Sequence, residues 1–425
     1  MTHPRLAKLG LRPLLGLTAI TLLAAALTLA GWAIEPWQYV FPDYIHHWTA
    51  GKLVASGESP YDENLQFSIH RDLGWDRSTQ GRGILSFLPY YYPPWFALAC
   101  TLLIPLGYEG GKVAWLFLNL ELLFGTGFLL RNAVPQLPRS IPLVTVPFFL
   151  FSLLALFIGQ TPILILFLAA VAWRSVEGGW DRAGGAALAC LTTKPQLAAI
   201  VVLAVGIWAV RQRRWGVVQG FVFTLTLLCL TSALVLPSWP VAMIRAMRNT
   251  PPPTEVFPWL GNTWFLILRT LSLRSWALWA VYLAVALPVL GGVVWSAQAR
   301  CRPFHEVMAL GLLAVFFVAP YARHYDFVVL LIPTFVLIGD RLSDKAGALL
   351  LASLILVPYL QFALLVRYSR LVVPDVDFLL ECTYFWIPLL LAALWMATRS
   401  RTAMARAPHA DARSAEIPGM APVAC

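Results

Sequence analysis

Residues 95–130, WFALACTLLIPLGYEGGKVAWLFLNLELLFGTGFLL, hold two apolar runs parted by a short polar hinge, and how the first run is read decides how the whole chain is threaded. The run 95–106 is apolar but only about 12 residues long, too short to cross a bilayer core and suited to an interfacial or re-entrant helix. The run 113–130 has the length of a spanning helix. If the first run crossed, the second would end outside and leave Arg131 and Arg139 there, against the tendency of lysine and arginine in short loops to stay cytoplasmic. If it does not cross, both arginines fall inside, and so do the basic loops 174–182, 211–214, 300–302 and 341–345 and the tail from Arg399. One assumption satisfies every loop.

Outward from that stretch the same logic holds. The chain is 59% hydrophobic and 12% charged, too few charges to cover a water-facing surface, so lipid is the expected solvent for most of it. The expected fold class is an all-α polytopic membrane protein with about 12 transmembrane helices near 14–34, 112–131, 141–157, 161–174, 183–193, 195–210, 216–236, 276–298, 304–319, 326–339, 346–366 and 383–398. Arg5, Lys8 and Arg12 place the N-terminus inside, and the first apolar run reads as a retained helix rather than a signal peptide. Residues 1–398 form one integral-membrane domain with an extracytoplasmic loop at 35–111, and further outside loops fall at 158–160, around Lys194, at 237–275, 320–325 and 367–382. The tail 399–425, rich in alanine, proline and charge, is expected to be cytoplasmic and disordered. The net charge of +10 comes from basic residues beside apolar runs, which argues for membrane orientation and against nucleic acid as a partner. The six cysteines are scattered without a CxxC pair, so neither a disulfide framework nor a zinc site is indicated. No internal repeat of the transporter kind stands out.

The residues able to carry chemistry gather in the segments assigned to the outer face. Asp43 lies a few residues beyond the first helix, where a partly dehydrated carboxylate can take a proton from a sugar hydroxyl attacking an activated anomeric carbon. The same position suits the N-cap of a helix starting at Tyr44, so base and cap both stand. His46 and His47 are successive, point about 100° apart on a helix and lack the spacing of a metal pair. At most one of them faces a ligand; a solvated or tyrosine-bonded interfacial histidine is the plainer alternative. Lys52 and Pro60-Tyr61-Asp62 finish the stretch, with Asp62 ordering the turn. Tyr92, within Tyr90-Tyr91-Tyr92-Pro93-Pro94-Trp95, introduces the short helix, where aromatics anchor at headgroup level and also offer faces to an isoprenoid chain or a sugar ring.

Gln160 sits at a hairpin tip after Gly159, and Lys194 at the next outer tip before Pro195, where a helix must restart. A lysine at membrane depth calls for a partner; a lipid phosphate suits it, and snorkelling to the interface is the other reading. Asn262 opens the helix after the Pro251-Pro252-Pro253 loop. Pro320-Tyr321-Ala322-Arg323-His324-Tyr325-Asp326 is a second polar motif, in which Arg323 breaks the positive-inside trend and offers a fork of donors to phosphate, while His324 offers a donor to the leaving phosphate oxygen. Glu121, beside Asn119 within an apolar run, must face protein, as a structural acid or a second functional one.

All of these fall on one face of the membrane. ATP and nucleotide sugars are scarce outside, and no P-loop or GxGxxG segment occurs, so an activated donor must arrive on a lipid. Four stretches together resemble the C superfamily of polyprenyl-phosphate-sugar-dependent glycosyltransferases, and within it glycosyltransferase family 87. DYIHHWTAGKLVASGESPYD is similar to the family's first loop, YYPPWFALACTLLIPLG to its Tyr-Pro-Pro juxtamembrane helix, GQTPILILFL to its Gly-Gln helix start, and GGAALACLTTKPQL to its Gly-rich helix ending in Lys-Pro. The similarity spans roughly residues 14–366 in order and spacing.

The resemblance implies that Asp43 is the general base and that transfer inverts the anomeric centre as the lipid phosphate leaves. The first loop lacks the Asp-x-Asp of the metal-using branches, so no metal and no cofactor are expected. Placing Lys194, Arg323 and His324 on the donor phosphate follows from chemistry and topology, and His46, His47, Lys52, Tyr92, Gln160 and Asn262 complete the expected substrate-binding set. The expected activity is hexosyl transfer, mannose foremost, from a polyprenyl-phosphate donor to a lipid or cell-envelope glycan acceptor at the outer face of a bacterial plasma (inner) membrane. A transporter or flippase of lipid-linked sugars is the alternative, and a structural partner of an envelope complex a third. A transporter needs polar residues along a route through the whole membrane, whereas here they concentrate at one face.

Overall fold

The apolar runs become helices. In the computed structural model, which describes residues 43–74, 89–132, 137–249, 253–255, 258–299, 302–372 and 381–398 and isolated positions between 19 and 26, every regular element is helical. The expected span 14–34, isolated positions aside, and the tail 399–425 lie outside the described residues. Pro162–Glu177, Asp181–Leu191, Pro195–Arg211, Trp215–Val235, Ser275–Gln298, Phe304–Val318 and Asp344–Val372 follow the expected boundaries closely. Among the described residues, four helical stretches are long and apolar enough to cross a membrane: Pro94–Leu130, Trp215–Val235, Ser275–Gln298 and Asp344–Arg367. This is the architecture of a helical membrane protein.

Four expected helices are divided: those at 326–339 and 383–398 open as the 3-10 helices His324–Leu330 and Glu381–Phe385 before turning α-helical, and two more are broken outright. The run 95–106 is not one helix: Pro94–Cys100 is α-helical, Thr101–Leu106 tightens to a 3-10 helix around Pro105, and Gly107, at φ 69°, turns the chain into Gly107–Leu130. Proline withholds a backbone donor and only glycine tolerates that φ cheaply, so the two residues together end one helix and aim the next. The span expected at 141–157 is likewise divided into Ser140–Phe148 and Leu150–Ile158, bent by 48°. Pro147 removes an intrahelical bond, and Phe149 leaves helical geometry at ψ 132°. The break expected at Lys194-Pro195 is present, with Pro195 in the first turn of its helix.

Packing sorts these helices into two apolar clusters. The larger surrounds Phe304–Val318, and at its centre the rings of Phe151, Phe316 and Phe327 meet edge to face at 4.8 to 5.2 Å. Asp181–Leu191 crosses Trp215–Val235 almost backbone to backbone: a Cβ on Gly185 would stand 2.1 Å from the Val217 carbonyl oxygen, and one on Gly220 2.0 Å from that of Arg182. The smaller cluster is aromatic and wraps Tyr44–Ala55 with Tyr61, Tyr90, Tyr92, Phe96 and Trp115.

Because helices such as Pro162–Glu177 and Pro195–Arg211 are roughly 24 Å long, they separate two polar ends. At one end lie Thr161 and Lys194. At the other, Glu306 accepts from Arg341 at 2.7 Å and Arg302 at 3.2 Å, while Arg341 also donates to the carbonyl of Thr398 at 2.9 Å. His305 bridges Glu177 at 2.9 Å and Asp340 at 2.7 Å with its ring stacked on Trp173, and Arg214 grips Asp181 with Nε at 2.7 Å. These contacts tie together the loops whose charge reads as cytoplasmic.

Candidate functional site

The other end is built around Asp43. It occupies the residue before Tyr44–Ala55, but in αR geometry (φ −82°, ψ −8°) its side chain makes no capping bond. The cap alternative is therefore not realised. Its backbone N–H donates to the carbonyl of Ile158 at 3.0 Å, and its buried carboxylate accepts from Gln160 Nε2 instead. Asp62, by contrast, does cap: Oδ1 accepts from the N–H groups of Asn64 and Leu65, each at 3.0 Å.

Gln160 reaches Asp43 because Leu150–Ile158 ends on Gly159 in the left-handed region (φ 83°), and the next helix starts at once with Pro162. Trp115 pins this hairpin to the aromatic cluster by donating to the Gly159 carbonyl at 3.0 Å. Gln160 Oε1 accepts from the Tyr92 hydroxyl at 2.8 Å, and the Thr161 hydroxyl reaches Tyr92 Oη at 3.3 Å. Tyr92 and Gln160, expected as ligand contacts, thus meet the expected base directly or through one partner.

The cations expected to meet phosphate are already held by carboxylates. Lys194, fully buried, lies 2.5 Å from Asp326 Oδ1, whose other oxygen accepts from the Arg323 backbone N–H at 2.9 Å. Arg323 forks onto Glu381, with Nε 3.1 Å from Oε2, and His324 Nδ1 stands 2.6 Å from the same oxygen. The Tyr325 ring lies beneath both cations, 5.0 Å from Lys194 Nζ and 5.3 Å from Arg323 Cζ. Burial lowers the proton affinity of Lys194 while Asp326 opposes it, and Arg323 is held charged by Glu381, so carboxylates fix both side chains in place.

The electrostatics separate the acids. Burial pushes the Asp43 carboxyl up from its ordinary value, opposed by the Gln160 hydrogen bond and the charges of Arg323 and Lys194. Burial works the same way on Glu381, but Arg323 and His324 overcome it and hold Glu381 down at about 2. One carboxylate is a fixed counterion; the other is poised to take a proton.

His46, Asn262 and Lys52 complete the placement. His46 and His47 are buried, with ring centroids 4.1 Å apart; His46 lies parallel to Tyr92 at 6.0 Å, whereas His47 is caged edge-on by Tyr92, Phe96 and Trp115. Both nitrogens of His47 and Nδ1 of His46 lack a hydrogen-bond partner among the described residues, and burial lowers both rings, His46 to about 3. Asn262 is fully buried, its N–H bonded to the Ala322 carbonyl at 2.8 Å, and both polar atoms of its side chain are unpartnered. Thr263, not Asn262, caps Trp264–Thr270. Lys52 is not brought into the site: it is exposed over the Trp48 ring at 5.2 Å, about 13 Å further along the helix axis than Asp43. Glu121 is half-buried with Oε1 unpartnered.

Sequence reasoning missed Thr161 and Glu381 and gave Asp326 no role. A signal for Glu381 existed: Arg323 on the outer face needs an anion, and Glu381 is an acid in an outer loop just before the last apolar run.

The chain matches no protein-family model, no curated protein and no solved structure.

Proposed function

We propose that this protein is a membrane glycosyltransferase that moves a hexose, mannose foremost, from a polyprenyl-phosphate donor to a lipid or cell-envelope glycan acceptor, at the extracytoplasmic face of a bacterial plasma membrane. The observation that carries this reading is Asp43: a buried carboxylate free of capping duty, with raised proton affinity, in the field of two cations that carboxylates hold in place. In the proposed reaction Asp43 takes the proton of the acceptor hydroxyl as that oxygen attacks the anomeric carbon. The bond to the phosphate oxygen breaks on the opposite face, and Arg323 and Lys194 take up the charge of the departing phosphate. His324, held by Glu381, is the proposed donor to it.

The proposed fold has about 12 spans in the C-superfamily arrangement, with the helices shorter than a full crossing packed inside the four long ones. A transporter draws less support, because from Val307 to Phe317 the central helix gives the core only apolar residues, and Pro195–Arg211 beside it buries none but apolar ones. No polar route joins the two ends along that pair. The test is transfer by the purified chain in lipid nanodiscs from radiolabelled polyprenyl-phosphate mannose, glucose and arabinose to membrane extracts, with the anomeric configuration of the product read by NMR. Transfer with inversion is expected. Tight binding of all three donors without transfer would overturn the enzyme reading in favour of the transporter.

A further inference from the structure

Tyr92 and Gln160 entered as ligand contacts, yet both have their polar atoms engaged by protein. Thr161 Oγ1 reaches Tyr92 Oη at 3.3 Å, Tyr92 Oη reaches Gln160 Oε1 at 2.8 Å, and Gln160 Nε2 reaches Asp43 Oδ2. All four residues are buried. A tyrosine hydroxyl has one proton and a glutamine amide one acceptor end and one donor end, so the chain has a direction. If Thr161 donates to Tyr92, Tyr92 must donate to the amide oxygen, and the amide NH2 is left facing Asp43. That NH2 suits an ionised Asp43, which is an acceptor at both oxygens.

We propose that Tyr92 and Gln160 are positioning residues, a directional hydrogen-bond relay that fixes the orientation of the Asp43 carboxylate and sets the pH at which it gains a proton. The relay is reversible as a unit. When Asp43 takes a proton, that proton is donated to Gln160 Oε1, the turned amide donates to Tyr92 Oη, and Tyr92 donates to Thr161 Oγ1. Either protonation state of the buried acid is therefore satisfied, which a fixed donor such as lysine could not achieve. The other charges and titratable groups that act on Asp43 are Arg323, Tyr321 and Tyr325 from the 321–326 motif, Lys194 and Glu381; His46 and His47, whose proton affinity burial lowers, follow it on its own helix. Of all these groups only Gln160 is hydrogen-bonded to its side chain.

That Asp43 acts as a base rests on the transferase reading; the relay itself does not, and its test needs no turnover. The full chain, labelled with 13C-aspartate and reconstituted in nanodiscs, is titrated from about pH 4 to 9 by difference infrared spectroscopy, with Asp43→Asn identifying the Asp43 band. Gln160→Leu is expected to favour the protonated form about ten-fold, with Tyr92→Phe shifting it in the same direction by less and Thr161→Val by least. Tyr92→Phe removes one oxygen, so it reports even if Gln160→Leu does not fold. Affinity for polyprenyl phosphate is expected to stay within about two-fold in both variants, a change of under about 0.5 kcal/mol. Coincident midpoints in all variants, or weakened polyprenyl phosphate binding with the Asp43 midpoint unmoved, would overturn the relay and return both residues to ligand contact. A chain that shows the shifts but transfers no sugar would instead overturn the transferase reading alone.

Discussion

The two polar ends of the helix bundle use the same residue types and leave them in different states. At the Glu306 end the buried and half-buried acids meet bases, with Glu306 between Arg341 and Arg302, His305 between Glu177 and Asp340, and Asp181 under Arg214. At the Asp43 end the cations are also paired, but the Asp43 side chain is hydrogen-bonded only to an amide, and the side chains of Asn262 and His47 have no hydrogen-bond partner among the described residues. An end whose buried acids are paired holds helices together. An end that keeps buried polar groups unpaired sacrifices stability, and such a sacrifice persists where a ligand or a proton uses it.

The contrast is broken or sharpened by substitution at each end. Glu306→Gln leaves Arg341 and Arg302 without their buried anion and should cost about 3–5 kcal/mol, read as a fall in the thermal midpoint of the purified protein. A loss below about 1 kcal/mol would place the Glu306 end outside the scaffold.

Acid should act through the other end. His46 is held down to about 3 and His47 is lowered by burial as well, whereas both imidazoles take protons from about 6.5 once unfolded. The folded state therefore loses stability as pH falls through 6.5 and goes on losing it down to the folded value, by about 2 kcal/mol per histidine at pH 5. Replacing both (His46→Gln with His47→Phe) should remove most of that dependence between about pH 7.5 and 5, measured as thermal midpoint against pH.

Asn262→Leu removes two unsatisfied buried atoms and should stabilise the ligand-free protein by about 1 kcal/mol while lowering kcat/KM for transfer about ten-fold. A stabilised variant with unchanged transfer would make Asn262 a packing residue. Lys52→Ala, exposed and away from the cluster, should change stability by less than about 0.5 kcal/mol and transfer by less than about two-fold.

Helix positions were legible because run length and loop charge are local properties of the chain. The break at Pro195 followed from the residues at that point, whereas Asp62, expected to order a turn, caps a helix. The divisions at Pro105-Leu106-Gly107 and at Pro147-Phe148-Phe149 carried a local signal too, but run length averages over a proline and so hid them. The site was legible only as a list. Asp43, Gln160, Lys194 and the 320–326 motif could be singled out by residue type and by the face they share. Their partners could not, because Gln160 meets Asp43 across 117 positions and Lys194 meets Asp326 across 132, distances over which no periodicity runs. Pairing also changed the meaning of the residues: Tyr92 and Gln160 join Asp43 in one hydrogen-bonded chain, and Lys52 lies apart from it.

The most direct measurement is the single-turnover rate of sugar transfer from polyprenyl-phosphate mannose, per folded molecule, for Asp43→Asn beside Glu306→Gln in the same nanodiscs. The expected result is a fall of about a hundred- to ten-thousand-fold for Asp43→Asn with its thermal midpoint held, and a lowered midpoint with near-normal turnover for Glu306→Gln. Equal turnover in Asp43→Asn and wild type would contradict the account, because the one buried acid left with only an amide to meet would then have no part in the chemistry.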